Sequence, residues 1–209
     1  ELRSGGGAAN AAFINQHESG SIPVFLDEWL AAFGMPPHLS YDAALDSGSI
    51  AANTASYGVA WPGLDFAASR LIISFGADFL ETWGASVSHQ LSFADARAQL
   101  ANAPRFIYVG PGRSLTGLNA DEWIDCKPGS ELQIARALLG ALGGLNQGAA
   151  GPGPGASVAA GVGTIAEAAT ASGISAERLE RLARELVATK PSLVVAGANS
   201  VHGYELALT

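Results

Sequence analysis

Cysteine is nearly missing from this chain: Cys126 is the single thiol among 209 residues. One thiol cannot build a disulfide frame, a zinc knuckle or an iron–sulfur site. Histidine is scarce too. His17, His38, His89 and His202 stand far apart and form no HxxxH or HExxH pair, so no metal ligation by this chain is expected. Charge is thin, at 14% of residues, and 19 acids against 11 Lys and Arg leave a formal net charge of −8. A nucleic-acid binder needs a basic face to neutralise phosphates, which excludes that class. The surface must instead be rich in Ala, Gly, Ser and Asn. Cover by neighbouring protein would explain this, and so would a compositional habit of the source genome.

Long apolar runs are absent as well. The longest uncharged stretch, 137–166, is interrupted by many glycines, Pro152, Pro154, Asn146 and Gln147. A membrane span needs about 20 mostly apolar residues, so none is expected here. No signal-peptide pattern is visible. The chain starts without Met and ends in "HGYELALT", a helix-like stretch. A processed or truncated piece of something longer is the expectation.

What is present is a regular alternation. "SIPVFLDEWLAAFG" predicts a helix, with Ser21 as cap, Pro23 in the first turn, and Leu26, Trp29, Leu30 and Phe33 on one face. "HLSYDA" is a short strand candidate, and 42–56 reads as an Ala-rich helix. Leu71 to Phe75 is a buried-strand pattern ending in Gly, and 79–102 reads as mainly helical. "RFIYVG" and "PSLVVAG" repeat the buried-strand pattern. "SELQIARALLGAL" is a helix capped by Ser130, with Leu132, Ala135, Leu139 and Leu142 in one stripe. In "SAERLERLARELVAT", Leu179, Leu182, Leu186 and Val187 face the core, while Glu177–Arg181 and Glu180–Arg184 are i,i+4 pairs.

Gly-terminated strands alternating with helices predict an α/β, Rossmann-like fold: a largely parallel sheet with helices on both faces. The expected organisation is a Rossmann-like domain over 1–147 with degenerate dinucleotide loops. A Gly/Pro-rich excursion or gap follows over 148–163, then a helix-strand-helix over 164–209 that completes the domain or opens the next. Ligands of such sheets sit at the carboxyl ends of the strands, so the loops after Phe75, Val109 and Val195 are where chemistry belongs.

Three motifs compete there. "AAGVGTIA" has a G-x-G-x-x-A pattern at Gly161, Gly163 and Ala166, but the run before it is too rich in Gly and Pro to be the strand a dinucleotide fingerprint needs. A loop entering a helix explains it better. Asp78 and Glu81 have capping-box spacing, which reads as a helix N-cap. Asp78 could instead border a nucleotide at the turn Gly76–Asp78. Sign then matters: a carboxylate about 4 Å from a phosphate is disfavoured by roughly 1–4 kcal/mol, whereas a ribose hydroxyl or a guanine edge would welcome it. The richest stretch is "VGPGRSLTGLNADEWIDCKPGSE". It orders a tight turn, the phosphate-compatible donors Arg113, Ser114 and Thr116, an acid–Trp pair, and a Pro-Gly-Ser-acid helix start.

"ISFGADFLETW" resembles the G-x-N-P-x-E-T segment of molybdopterin oxidoreductase large subunits, and "GPGRSLTGLNADEWIDCKPGSE" resembles their D-P-R…T…A-D-x-W-L-x-x-[RK]-P-G-[ST]-[DE] segment. The match covers about residues 70–145. "LDEWLAAFG", "LSYD" and "VAGANSVHGYEL" extend it weakly. The resemblance implies that these loops border one arm of a molybdopterin guanine dinucleotide. Gly76 and Asp78 would lie by the dinucleotide, Arg113 by the phosphates, and Ser130 and Glu131 at the guanine. Departures accompany it. The family's Asn is Asp78, its next Pro is Phe79, the first acid of D-P-R is Gly110, and Gly112 displaces the Arg by one.

Within the family, "SFGADFLETW" with "YVGPxxSLTGxNADEW" most resembles the molybdopterin-like half of the iron–sulfur subunit of alternative complex III. That implies a scaffold with no cofactor and no catalytic residue of its own, in a membrane-bound quinol-oxidising respiratory complex. Its partners would be an iron–sulfur domain, cytochrome c subunits and a quinol-binding membrane subunit, on the periplasmic side of a bacterial inner membrane. Iron–sulfur clusters would lie elsewhere in the complex. Two alternatives stay open. One is a functional molybdopterin guanine dinucleotide domain with molybdenum or tungsten. The other is an unrelated thiamine- or flavin-type nucleotide domain.

Overall fold

The computed structural model describes residues 7–16, 18, 20–41, 47–145 and 163–197. The chain divides into two compact units, one ending at Leu45 and the other beginning at Asp46.

In the first unit a 3-10 turn at Ala8–Asn10 leads into strand β1 (Ile14–Asn15), helix α1 (Ile22–Ala32) and strand β2 (Leu39–Ser40). The two strands pair in parallel, Ile14 opposite Leu39. Pro23 sits in the first turn of α1 as expected, but Ser21 has helical backbone angles and makes no side-chain cap. Leu30 is the buried residue of this helix, while Trp29 is 46% exposed and Phe33 37% exposed. Asp27 ties the helix to the segment before β2 by accepting from the His38 amide at 2.9 Å and pairing with its Nδ1 at 2.6 Å. The amide bond first, and then the ring contact, hold the Asp27 carboxyl below its ordinary value.

The second unit opens with α2 (Ser47–Tyr57) and is organised by four parallel strands. These are β3 (Leu71–Phe75), β4 (Arg105–Val109), β5 (Glu122–Ile124) and β6 (Ser192–Ala196), in the order β5-β4-β3-β6. Between them run α3 (Ser86–Ala98), α4 (Leu115–Leu118), α5 (Glu131–Leu145), α6 (Ile165–Ser172) and α7 (Ala176–Ala188). Alternation along β3 sends Leu71, Ile73 and Phe75 into a core with Ile134, Leu138, Leu179, Leu182 and Leu186 of α5 and α7. Ile72 points the other way, into an aromatic core of Phe66, Phe79, Phe93 and Phe106 beneath α3. The fold is thus α/β, with a parallel sheet covered by helices on each face.

Several local expectations are corrected. Residues 79–85 form turns, and the helix begins at Ser86, because Phe79, Leu80 and Trp83 are drawn individually into the aromatic core rather than along a helical stripe. Among the described residues β6 stands at the edge of the sheet with Val194 51% exposed, rather than being a buried strand. Arg181 on α7 reaches Glu122 on β5 instead of Glu177. On α5 the buried stripe is broader than expected, running through Leu132, Ile134, Ala135, Ala137 and Leu138. The loop-to-helix reading of Gly163 and Ala166 holds: Thr164 and Glu167 form a capping box that starts α6. Gly161, all of the excursion at 148–163 except Gly163, and the end of the chain after residue 197 lie outside the described residues.

Candidate functional site

The loops after β3, β4 and β5 meet at one end of the sheet, and the ladder of amides runs on through their glycines. Gly76 donates to Val109 O at 3.0 Å, Gly110 to Ile124 O at 3.2 Å, and Gly197 to Phe75 O at 2.9 Å. Gly76 turns the chain with φ +64, a left-handed conformation that glycine adopts without a Cβ penalty. Buried Ser74 shapes this turn: its hydroxyl accepts from Ala77 N and donates to Ala77 O.

Asp78 does not cap a helix with its side chain. Its backbone carbonyl accepts from the amides of Glu81, Thr82 and Trp83, and its carboxylate accepts from the Tyr108 hydroxyl at 3.3 Å. Tyr108 projects from β4 between two glycines. A Cβ on Gly110 would lie 3.1 Å from its ring, and one on Gly117 3.0 Å. Burial above all pushes the phenol up to about 12. The hydrogen bond from Ser114 opposes this, and the charges of Asp78 and Glu131 add to it. A neutral phenol therefore faces an acidic turn.

The three donors of the Gly110–Thr116 loop have different fates. Ser114 caps α4 by accepting from Gly117 N, and its hydroxyl donates to the Tyr108 oxygen. Thr116 is fully buried and accepts from Leu80 N at 3.1 Å. Arg113 alone stays exposed, with its guanidinium stacked 4.9 Å over the Trp123 ring. Trp123 is itself pinned by its indole N–H to Gly110 O.

Beyond β5, Gly129 takes φ +81 and leads into α5. Ser130 is buried and its hydroxyl donates to Lys127 O at 2.6 Å. Glu131 is 6% exposed, and its Oε2 is buried without a hydrogen-bond partner. Cys126 lies beside them. Burial pushes its thiol up to about 11, with Ser130 opposing and Glu131 and Asp125 reinforcing. A thiol so protonated is a poor nucleophile and a poor metal ligand. Among the described residues no group of three or more His, Cys, Asp or Glu is placed to hold a metal ion.

All five residues singled out from the sequence therefore stand at the carboxyl ends of β3, β4 and β5: Gly76, Asp78, Arg113 and Ser130 on loops, and Glu131 at the first position of α5. Tyr108, Cys126 and Gly197 were missed. Tyr108 reads as one more apolar residue of a strand, and only its phenol, placed at the strand's outlet, marks it.

Tested against a guanine dinucleotide, this donor set splits. Glu131 offers a buried acceptor of the kind that a guanine edge requires. At the turn Gly76–Asp78 the fit is poor: a phosphate brought there would meet the Asp78 carboxylate, the Ser114 hydroxyl is donated to Tyr108, and Thr116 is fully buried against Leu80 N.

No family model matches the chain. A curated relative, the "Menaquinone reductase, molybdopterin-binding-like subunit" of Nitratidesulfovibrio vulgaris (strain Hildenborough), is 30% identical over 146 residues, which is 68% of this chain and 21% of the relative. The chain thus spans about a fifth of the length of that relative. Among solved structures, acetylene hydratase from Pelobacter acetylenicus superposes with a TM-score of 0.58 over 88% of this chain and 26% of its own, at 14% identity, which speaks for the fold. Over 146 residues the chain is thus similar to a molybdopterin-binding-like subunit, and it shares an α/β fold with acetylene hydratase.

Proposed function

We propose that this chain is a cofactor-less scaffold of molybdopterin-oxidoreductase type within a quinone-linked membrane electron-transfer complex. The observation that carries the reading is the Asp78–Tyr108 contact, which fixes a carboxylate on the turn that would border a dinucleotide, where its charge would oppose a nearby phosphate. The occupied hydroxyls of Ser114 and Thr116 support it. The name of the curated relative, a molybdopterin-binding-like subunit of a menaquinone reductase, supports the quinone context. The motif resemblance favours the finer assignment: quinol oxidation by a complex of alternative complex III type. Its partners would be an iron–sulfur domain, cytochrome c subunits and a quinol-binding membrane subunit on the periplasmic side. Among the described residues no helix is long and apolar enough to cross a membrane, in keeping with a peripheral place.

A second reading has one specific observation behind it. The unpartnered Oε2 of buried Glu131 would be satisfied by the N–H edge of a guanine. In that reading Gly76, Asp78, Arg113, Ser130 and Glu131 hold one arm of a molybdopterin guanine dinucleotide.

Elemental analysis and pterin extraction on the intact complex separate the two. The scaffold reading expects molybdenum, tungsten and pterin far below stoichiometric amounts in a preparation that still transfers electrons to or from quinone. A stoichiometric metal with released pterin would overturn it.

A further inference from the structure

Helix α1 carries an apolar stripe that the function above does not use. Ile22, Phe25 and Trp29 recur at i, i+3 and i+7 and are 49%, 62% and 46% exposed, and the Trp29 ring lies 4.9 Å from that of Phe33. Scattered exposed apolar residues are ordinary, but an aligned aromatic stripe on one helix marks a contact surface. The charges beside it have one sign. Glu28 lies three residues after Phe25 on the same helix, Glu18 precedes it, and the sequence holds no Lys or Arg from residue 4 to residue 69, while Asp27 is already paired with His38.

That sign selects among occupants. A second copy would set acid against acid, which costs rather than gains. A lipid surface takes up amphipathic helices through Lys and Arg on their polar face, which α1 lacks. A groove of apolar side chains rimmed by Lys or Arg matches both features. We propose that α1 docks, aromatic stripe first, into a basic-rimmed apolar groove on another protein subunit. The inference does not depend on whether a dinucleotide is bound, because α1 contributes none of the five loop residues.

The test uses the full-length protein in its native membranes, with p-benzoyl-phenylalanine in place of Phe25 and light-driven crosslinking followed by peptide mapping. The expected product joins position 25 to another subunit, at a peptide with Lys or Arg beside apolar residues. Glu28→Lys should cut the yield several-fold, and raised salt should weaken it, while the thermal transition of the protein stays in place. A crosslink to a second copy, to lipid or within the chain, no crosslink at all, or a yield indifferent to Glu28→Lys would each overturn the proposal.

Discussion

The Tyr108 hydroxyl donates to Asp78 Oδ1 across the outlets of β3 and β4, 3.3 Å apart, and takes a hydrogen bond from Ser114 on its other side. This contact decides what Asp78 does. The carboxylate is neither a free helix cap nor a free ligand, because it is engaged by a phenol that burial keeps neutral.

Tyr108 should therefore titrate late, above the ordinary phenol value. Its pKa is pushed up to about 12, by burial first. A group whose folded value lies above its unfolded value of 10.0 stabilises the fold fully below pH 10, and that contribution is lost as pH rises toward 12. Alkaline spectrophotometric titration should show one late phenol, and unfolding should accompany it. Asp78→Asn should lower that late step, since the Asp78 charge helps to hold the proton on. It should cost no more than about 1 kcal/mol, because the amide oxygen can still accept. A late step unmoved by Asp78→Asn would mean that the contact is not felt.

Two glycines in these loops should answer substitution in opposite ways. A Cβ on Gly197 would meet Gly76 O at 2.4 Å and Ala77 Cα at 2.9 Å, all backbone that cannot swing aside. Gly197→Ala should force β6 away from β3 and destabilise by about 1–3 kcal/mol, the usual range for overpacking. Gly112 has nothing within 4 Å of a built Cβ, so Gly112→Ala should be nearly neutral. Denaturant melts of the two variants check the contrast. Equal stabilities would mean that the close approach at Gly197 is not maintained.

Most of the sheet could be read from sequence because β3 and β4 are short, apolar and closed by Gly, a pattern that burial on both faces imposes. Strand β5 was illegible: "EWI" is three residues long, and its first member is a charged Glu that arginines from β4 and α7 neutralise. The turn at 79–85 was read as helix because its aromatics sit at helix-compatible spacing, although each enters the core on its own. The carboxyl ends of β3, β4 and β5, where the five singled-out residues stand, were legible because each of β3 and β4 closes in Gly and a Pro-Gly-Ser start follows β5. The role of Asp78 was not visible, since its partner lies thirty residues away on another strand.

Glu122 should be the electrostatic keystone at the opposite end of the strands. It takes Arg105 from β4 and Arg178 and Arg181 from α7, while Arg105 also reaches Glu185. Partial burial would raise its carboxyl, but hydrogen bonds from Arg178 and the charges of Arg178, Arg181 and Arg105 outweigh this and hold it below the ordinary range. Glu122→Gln leaves three guanidinium groups crowded without their shared anion. A loss of about 1–3 kcal/mol is expected, toward the lower end because the site is only partly shielded from water. The loss should shrink in high salt. Chemical denaturation with urea at two ionic strengths measures both, and an unchanged midpoint would show that the network is ornamental to stability.

His89 gives the chain an acid-side limit. The residue is 8% exposed, and its ring lies 5.8 Å from Trp83 and 6.0 Å from Phe66 and leaves Nδ1 buried without a partner. Burial lowers its pKa below the ordinary 6.5, against a hydrogen bond to the Trp83 backbone that works the other way. A second proton would have to enter at Nδ1, on a ring packed between Phe66 and Trp83. The sign follows. The unfolded chain takes the proton more readily than the folded one, so stability is full above pH 6.5 and declines as pH falls below it. The thermal midpoint should therefore drop between pH 7 and pH 5, and His89→Leu should flatten that slope even if it costs stability throughout. A slope that survives His89→Leu would mean that His89 is not its source; carboxylates held below their ordinary values, such as Asp27, Asp121, Glu122 and Glu167, lose their contribution only at lower pH.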